Sequence, residues 1–207
     1  MTMPAESDDP EVPFLDASTL IHRFKNNLQV LSSLISLLSR PESGGVSTDV
    51  VHRIRGSIFA IAKAYDAVCP LRDNSDTAAF SSSFVAYLEK LLPALRSIHL
   101  KTRNTSGSFA FQANAAPNVS FERMTTLGLL INEILSLLAS SNEALREGGS
   151  LEIELGEFPS DDPSPFLRIT PWRERTMSLN SDDIISILAN QAHVQIEQSR
   201  NSITLSL

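Results

Sequence analysis

Apolar residues in the first third of the chain recur in alternating steps of three and four. From Leu15 to Ser39 there is neither proline nor glycine, and Ile21, Phe24, Leu28, Leu31, Ile35 and Leu38 form one seam. That spacing predicts a bundle helix. A second stripe, Leu20, Val30, Leu34 and Leu37, predicts that this helix has more than one neighbour. Pro41 and Gly44-Gly45 break the pattern and mark a short connection. A second helix is predicted over 48–68, with Val51, Ile54, Ile58, Ile61, Tyr65 and Val68 as its seam. Two such helices joined by a short loop make an antiparallel hairpin. One hairpin cannot bury stripes this wide, so the pattern predicts a homodimer in which two hairpins form a four-helix bundle.

Beyond Cys69-Pro70, residues 71–79 read as a linker, and the remainder alternates helix and strand signals. Helices are predicted over 84–100, with Pro93 as a kink, over 121–145, and over 182–191 with Ser181 as N-cap. Strands are predicted over 109–111, 151–155 and 166–170, and a closing hairpin over 194–197 and 202–206. The fold class is α+β: a two-helix hairpin followed by an α/β layer domain with helices on one face of a sheet. The expected organisation is an acidic, proline-containing flexible tail over 1–14, the hairpin over 15–70 and the layered domain over 78–207.

Composition narrows the function classes. The 207 residues carry 17 Lys+Arg against 24 Asp+Glu, a formal net charge of -7, which disfavours general nucleic-acid binding. No apolar run is long enough to span a bilayer, and the acidic start does not read as a signal peptide. The single cysteine, Cys69, fits a reducing compartment, so a cytoplasmic location is expected. Charge is uneven, however. Between Leu20 and Lys63 lie Arg23, Lys25, Arg40, Arg53, Arg55 and Lys63 against only Glu42 and Asp49, a basic island suited to an acidic partner or a phosphate. Glycine is scarce, with 8 in all and none after Gly156, so a glycine-rich phosphate loop is not available to the C-terminal quarter.

The Ile21 seam leaves another face for His22, Lys25, Asn26, Gln29 and Ser33. A solvated imidazole on that face can act as a nucleophile near neutral pH. Lys25 can stabilise added phosphate charge, and Asn26 can bond a phosphoryl oxygen or orient a water. The plainer reading is a solvated, charged helix face. Elsewhere, His52 reads as packing or surface, and His99 and His193 have no partner at metal-ligand spacing, so no metal site is expected. Trp172 reads as packing or loop, Cys69 as a helix end without a redox role, and Glu152 and Glu154 as the solvent face of a strand.

The string HRFKNNLQVLSSLISLLSR from His22 resembles the phosphoacceptor helix of the bacterial sensor histidine kinase subfamily whose box reads H-R-x-K-N-N-L-Q. HRIRGSIFAIAKAYDAV looks like that family's second bundle helix, and FVAYLEKLLPAL like the segment leading into its ATP-binding domain. The resemblance implies that His22 carries phosphate on a ring nitrogen, with Arg23, Lys25, Asn26 and Gln29 completing the catalytic set. LGLLINEILSLLASS matches the frame of the family's N-E-L-x-x-N-A-x-K box, with Asn132 and Glu133 in place. The Mg²⁺-ligating Asn is replaced by Leu137 and the lysine by Ser140, and no D-x-G-x-G follows. An aliphatic side chain offers no oxygen to a hard cation.

These departures imply a degenerate ATPase-like domain that binds no ATP and needs no cofactor. The combination resembles dimeric histidine phosphotransferases, which relay a phosphoryl group between aspartates of response-regulator receiver domains, with Mg²⁺ held by the receiver. The implied partners are a second copy and receiver domains, with a hybrid sensor kinase as a further candidate, and neither nucleic acid nor membrane. Two alternatives stand beside this expectation. One is a scaffold, or a receiver phosphatase using Asn26 or Gln29 to orient water. The other is an ATP-dependent kinase with a divergent pocket.

Overall fold

The structure, a computed structural model, describes residues 24, 26, 27, 31, 48–68, 84–100, 108–141, 149–160, 163–171 and 183–207. Among them are four helices and a five-stranded sheet in a mixed α+β arrangement: α1 (Thr48–Val68), α2 (Phe84–His99), β1 (Ser108–Ala113), α3 (Phe121–Ser141), β2 (Ser150–Glu157), β3 (Pro165–Pro171), α4 (Asp183–Ala192), β4 (Gln195–Gln198) and β5 (Ile203–Ser206). Phe24, Asn26, Asn27 and Leu31 are helical as well. The tail, most of the first predicted helix, His22, Arg23, Lys25, Gln29, Cys69 and Trp172 lie outside the described residues.

The strand order is β1-β2-β3-β5-β4. β1 and β2 run parallel, with Phe111 opposite Ile153, and α3 makes the crossover that a parallel pair requires. The other neighbours are antiparallel, with Ile153 opposite Ile169, Ile169 opposite Ile203, and β4 paired with β5. Alternation sets the two faces. Leu151, Ile153, Leu155, Leu167, Ile169, Ile203 and Leu205 are buried, while Glu152 is exposed and Glu154 half-buried on the other face. There Glu154 pairs with Arg168 Nη1 at 3.2 Å, and the Arg168 guanidinium lies 4.4 Å from the Phe166 ring centroid.

The buried face of the sheet joins one core with α2, α3 and α4, and Ala60, Ile61 and Ala64 of α1 belong to the same core. α3 is apolar around most of its circumference and is buried from Leu127 through Ser136, as a helix with neighbours on every side must be. Ser120 caps it, its Oγ accepting from the Arg123 N–H at 3.4 Å. α4 ends at His193, whose φ of 52° is the left-handed C-terminal stop usually taken by glycine.

One feature of α1 departs from the simple heptad pattern. Its Val51 and Ile58 are 50% and 48% exposed, whereas the face turned inward carries the small residues Gly56, Ser57, Ala60 and Ala64 together with His52 and Ile61. Small side chains let two helix backbones approach, so α1 packs on α3 through them and leaves part of its apolar seam outside. Pro93 falls inside α2 on its exposed side, and the helix runs on past it to His99.

Candidate functional site

Two adjacent polar residues, Asn132 and Glu133, stand in the middle of the otherwise apolar α3, and both side chains are buried. A buried carboxylate needs a charge partner and a buried amide needs hydrogen bonds. α1 supplies most of both. Arg53 Nε donates to Glu133 Oε2 at 2.6 Å, and Arg53 Nη2 contacts the same oxygen. Asn132 Nδ2 points at the Arg53 carbonyl at 3.0 Å, Ser57 Oγ at 3.2 Å and Glu133 Oε1 at 3.3 Å. Ser57 Oγ in turn donates to the Arg53 carbonyl at 3.0 Å.

The other side of the amide belongs to α2. Asn132 Oδ1 lies 2.9 Å from Nε2 of the fully buried His99. An amide oxygen only accepts, so His99 carries its proton on Nε2. One turn beyond this cluster, Leu137 is half-buried and packs against the core. Ser140 Oγ donates to the carbonyls of Ser136 and Leu137 at 3.0 and 2.9 Å.

Asn132 and Glu133 are tied to α1 and α2, Leu137 has no oxygen to offer, and the Ser140 hydroxyl is directed back at its own helix. Among the described residues, no group of three or more His, Cys, Asp or Glu side chains is placed to hold a metal ion. Nor is any helix among them long and apolar enough to cross a membrane.

Of the sequence-derived site residues, only Asn26 is described. It is helical and exposed, as its place off the seam predicts. Its neighbour Asn27 is half-buried and donates from Nδ2 to Tyr65 Oη at 3.4 Å. Phe24 meets Tyr65 edge to face, and Leu31 packs against the core. The pairing of Arg53 with Glu133 and of His99 with Asn132 is absent from the sequence reading. The available signal was the Asn-Glu pair inside LGLLINEILSLL, because polar residues in a fully apolar helix demand partners from another element.

Known proteins agree with this architecture. The HisKA_2 family of histidine kinases matches residues 20–99. The structure is similar to that of the Erythrobacter litoralis EL346 blue-light activated histidine kinase, with a TM-score of 0.64 and 13% identity over 94% of this chain. The chain spans only 61% of that protein. It is also similar to the separate histidine kinase domain of EL346, with a TM-score of 0.55 and 14% identity over 93% of this chain and 85% of that one. No curated protein sequence matches the chain. Residues 20–99 thus carry the HisKA_2 histidine kinase signature, within a chain that has the fold of histidine kinases.

Proposed function

We propose that the chain is a histidine phosphotransferase that relays a phosphoryl group between receiver-domain aspartates through His22, without ATP, as a homodimer. The observation that carries the reading is the engagement of Asn132 and Glu133 by Arg53, Ser57 and His99. In the resembling kinases that pair opens the nucleotide box. Here it joins α3 to α1 and α2, and Leu137 stands at the cation-ligand position.

The chemistry needs no nucleotide in this chain. A ring nitrogen of His22 attacks phosphorus of a receiver aspartyl phosphate. The P–O bond breaks, a P–N bond forms, and the aspartate leaves as carboxylate while the imidazole proton passes to solvent. Attack by a second receiver's aspartate reverses the step. Mg²⁺ belongs to the receivers. Lys25 and Arg23 offset phosphoryl charge, and Asn26 and Gln29 bond its oxygens. The rest is positioning, which dominates phosphoryl transfer.

The test is transfer of ³²P from phosphorylated receivers of the same cell, with ATP alone and His22→Ala as controls. Labelling by a receiver, lost in His22→Ala and absent with ATP alone, is the expected result. The histidine kinase match over residues 20–99 favours a second reading, an ATP-dependent kinase with a divergent pocket. Labelling by ATP alone would establish that reading. Receiver-dependent output that survives His22→Ala would establish a scaffold instead.

A further inference from the structure

Side chains from three parts of the chain meet at Tyr65 on α1. Phe24 lies edge to face with it, at a centroid distance of 5.8 Å and an interplanar angle of 71°. Phe121, the first residue of α3, meets it at 4.9 Å and 65°. Asn27 Nδ2 donates to its hydroxyl at 3.4 Å. Phe24 and Asn27 follow His22 by two and five residues, and Leu31, four residues after Asn27, packs against the core.

The neighbouring asparagines of HRFKNN therefore divide their work. Asn26 is exposed, on the face where sequence spacing puts the phosphoryl chemistry. Asn27 turns inward to Tyr65. A helix that buries only a wide aliphatic stripe can roll about its axis at little cost, because dispersion contacts are non-directional. An edge-to-face ring pair and a hydrogen bond are directional, and together they select one roll and one height. Phe24 remains 49% exposed, and the Tyr65 ring is a directional contact that ties it to α1.

We infer that Tyr65 is the positioning residue of the phosphoacceptor segment. Through Phe24 and Asn27 it sets the orientation of the residues that follow His22, and through Phe121 it references that orientation to the start of α3. The inference rests on the proposed role of His22. The ring pairs carry most of the effect, since a 3.4 Å hydrogen bond is long and weak. Phenylalanine at position 65 should thus substitute for tyrosine, whereas leucine should not.

The full chain is compared as wild type, Tyr65→Phe, Tyr65→Leu and Phe24→Leu. Phosphoramidate serves as a small donor: its P–N bond breaks, ammonia leaves, and a P–N bond to His22 forms. That labelling reads the imidazole itself and should vary by less than about twofold, because a small donor brings its own orientation. Transfer from phosphorylated His22 to a receiver reads positioning. In Tyr65→Leu its kcat should fall about tenfold or more with KM held within about twofold, and Tyr65→Phe should restore it. Amide exchange at Phe24, Asn26, Asn27 and Leu31 should quicken about tenfold in Tyr65→Leu while that of Phe121–Ser141 stays slow. If Tyr65→Leu also loosens Phe121–Ser141, Phe24→Leu decides by the same readouts, because its ring lies at the exposed end of the pair. Unchanged kcat in the deciding variant, or a change confined to KM, overturns the inference. A wild-type chain that accepts phosphate at His22 from neither phosphoramidate nor any receiver overturns instead the functional reading beneath it.

Discussion

Tyr87 shows how one buried atom gives the fold a pH limit. Its ring lies inside the core, and its hydroxyl donates to the Ala60 carbonyl across the α1–α2 contact at 3.1 Å. Burial pushes the phenol above its ordinary range, because the phenolate would lose its hydration. The folded pKa is thus raised above the unfolded value of 10.0, so the contribution is intact below that pH and is lost progressively as pH rises from there toward the folded value. Wild-type unfolding free energy should fall by up to about 1.4 kcal/mol per pH unit above that point relative to Tyr87→Phe, as read by urea titrations. At neutral pH the same substitution should cost about 1 kcal/mol through the lost hydrogen bond. The Arg53–Glu133 pair makes an unequal prediction. The Glu133 side chain has no exposure, whereas the Arg53 side chain keeps 22%. Arg53→Met strands a buried carboxylate and should cost about 3–5 kcal/mol. Glu133→Gln leaves a guanidinium that can still reach water and should cost about 1–2 kcal/mol. Denaturation of the double variant should show strong coupling, with most of the Arg53→Met cost gone once the carboxylate is neutral.

Among elements, the α1–α3 contact depends on two glycines that helix propensity alone would reject. A Cβ at Gly56 would lie 1.8 Å from Asn132 Oδ1, and one at Gly128 would lie 1.7 Å from Tyr87 Oη. Neither oxygen can retreat easily, since one accepts from His99 and the other donates to Ala60. On a solvent-exposed helix Gly→Ala stabilises by about 1 kcal/mol. Here Gly56→Ala should destabilise by about 2 kcal/mol or more, because overpacking and broken hydrogen bonds outweigh propensity. A drop in melting temperature would confirm that sign, and a rise would remove Asn132 from its place as the joint between the helices. The order of the elements was readable from hydrophobic period. LEIEL, FLRIT and SITLS appear as β2, β3 and β5, and TDVVHRIRGSIFAIAKAYDAV as α1. Period could not say which side of α1 turns inward, because a heptad seam and a Gly56, Ala60, Ala64 stripe are both regular. The joint pairs residues about 80 positions apart, beyond the reach of any local pattern.

For the whole molecule, the exposed part of that seam bears on assembly. His52 and His99 looked unremarkable in sequence and are buried, His99 bonding Asn132, whereas Val51 and Ile58 looked like core and are half exposed. Val51, Arg55, Ile58 and Ala62 follow one another in steps of four, three and four, so they line one side of α1, opposite the side packed on α3. The proposed homodimer gives this stripe a partner: a second copy's helices cover Val51 and Ile58 and complete the bundle that the period of the first third predicts. The chemistry of the stripe agrees, since two branched aliphatic residues with only Arg55 among them suit a self-complementary seam better than a charged partner surface. Ile58→Glu places a carboxylate in that seam twice, once from each chain, and two like charges there disfavour association. Light scattering should read a dimer for wild type and a monomer for Ile58→Glu, while circular dichroism stays unchanged because Ile58 lies outside the buried core of the described residues. A wild-type monomer would leave the stripe to another partner, and a dimer that tolerates Ile58→Glu would move the interface off α1. If the dimer forms as proposed, phosphotransfer to His22 should be measured against assembly state. Ile58→Glu would then separate what one chain's Tyr65 contact supplies from what the second chain adds.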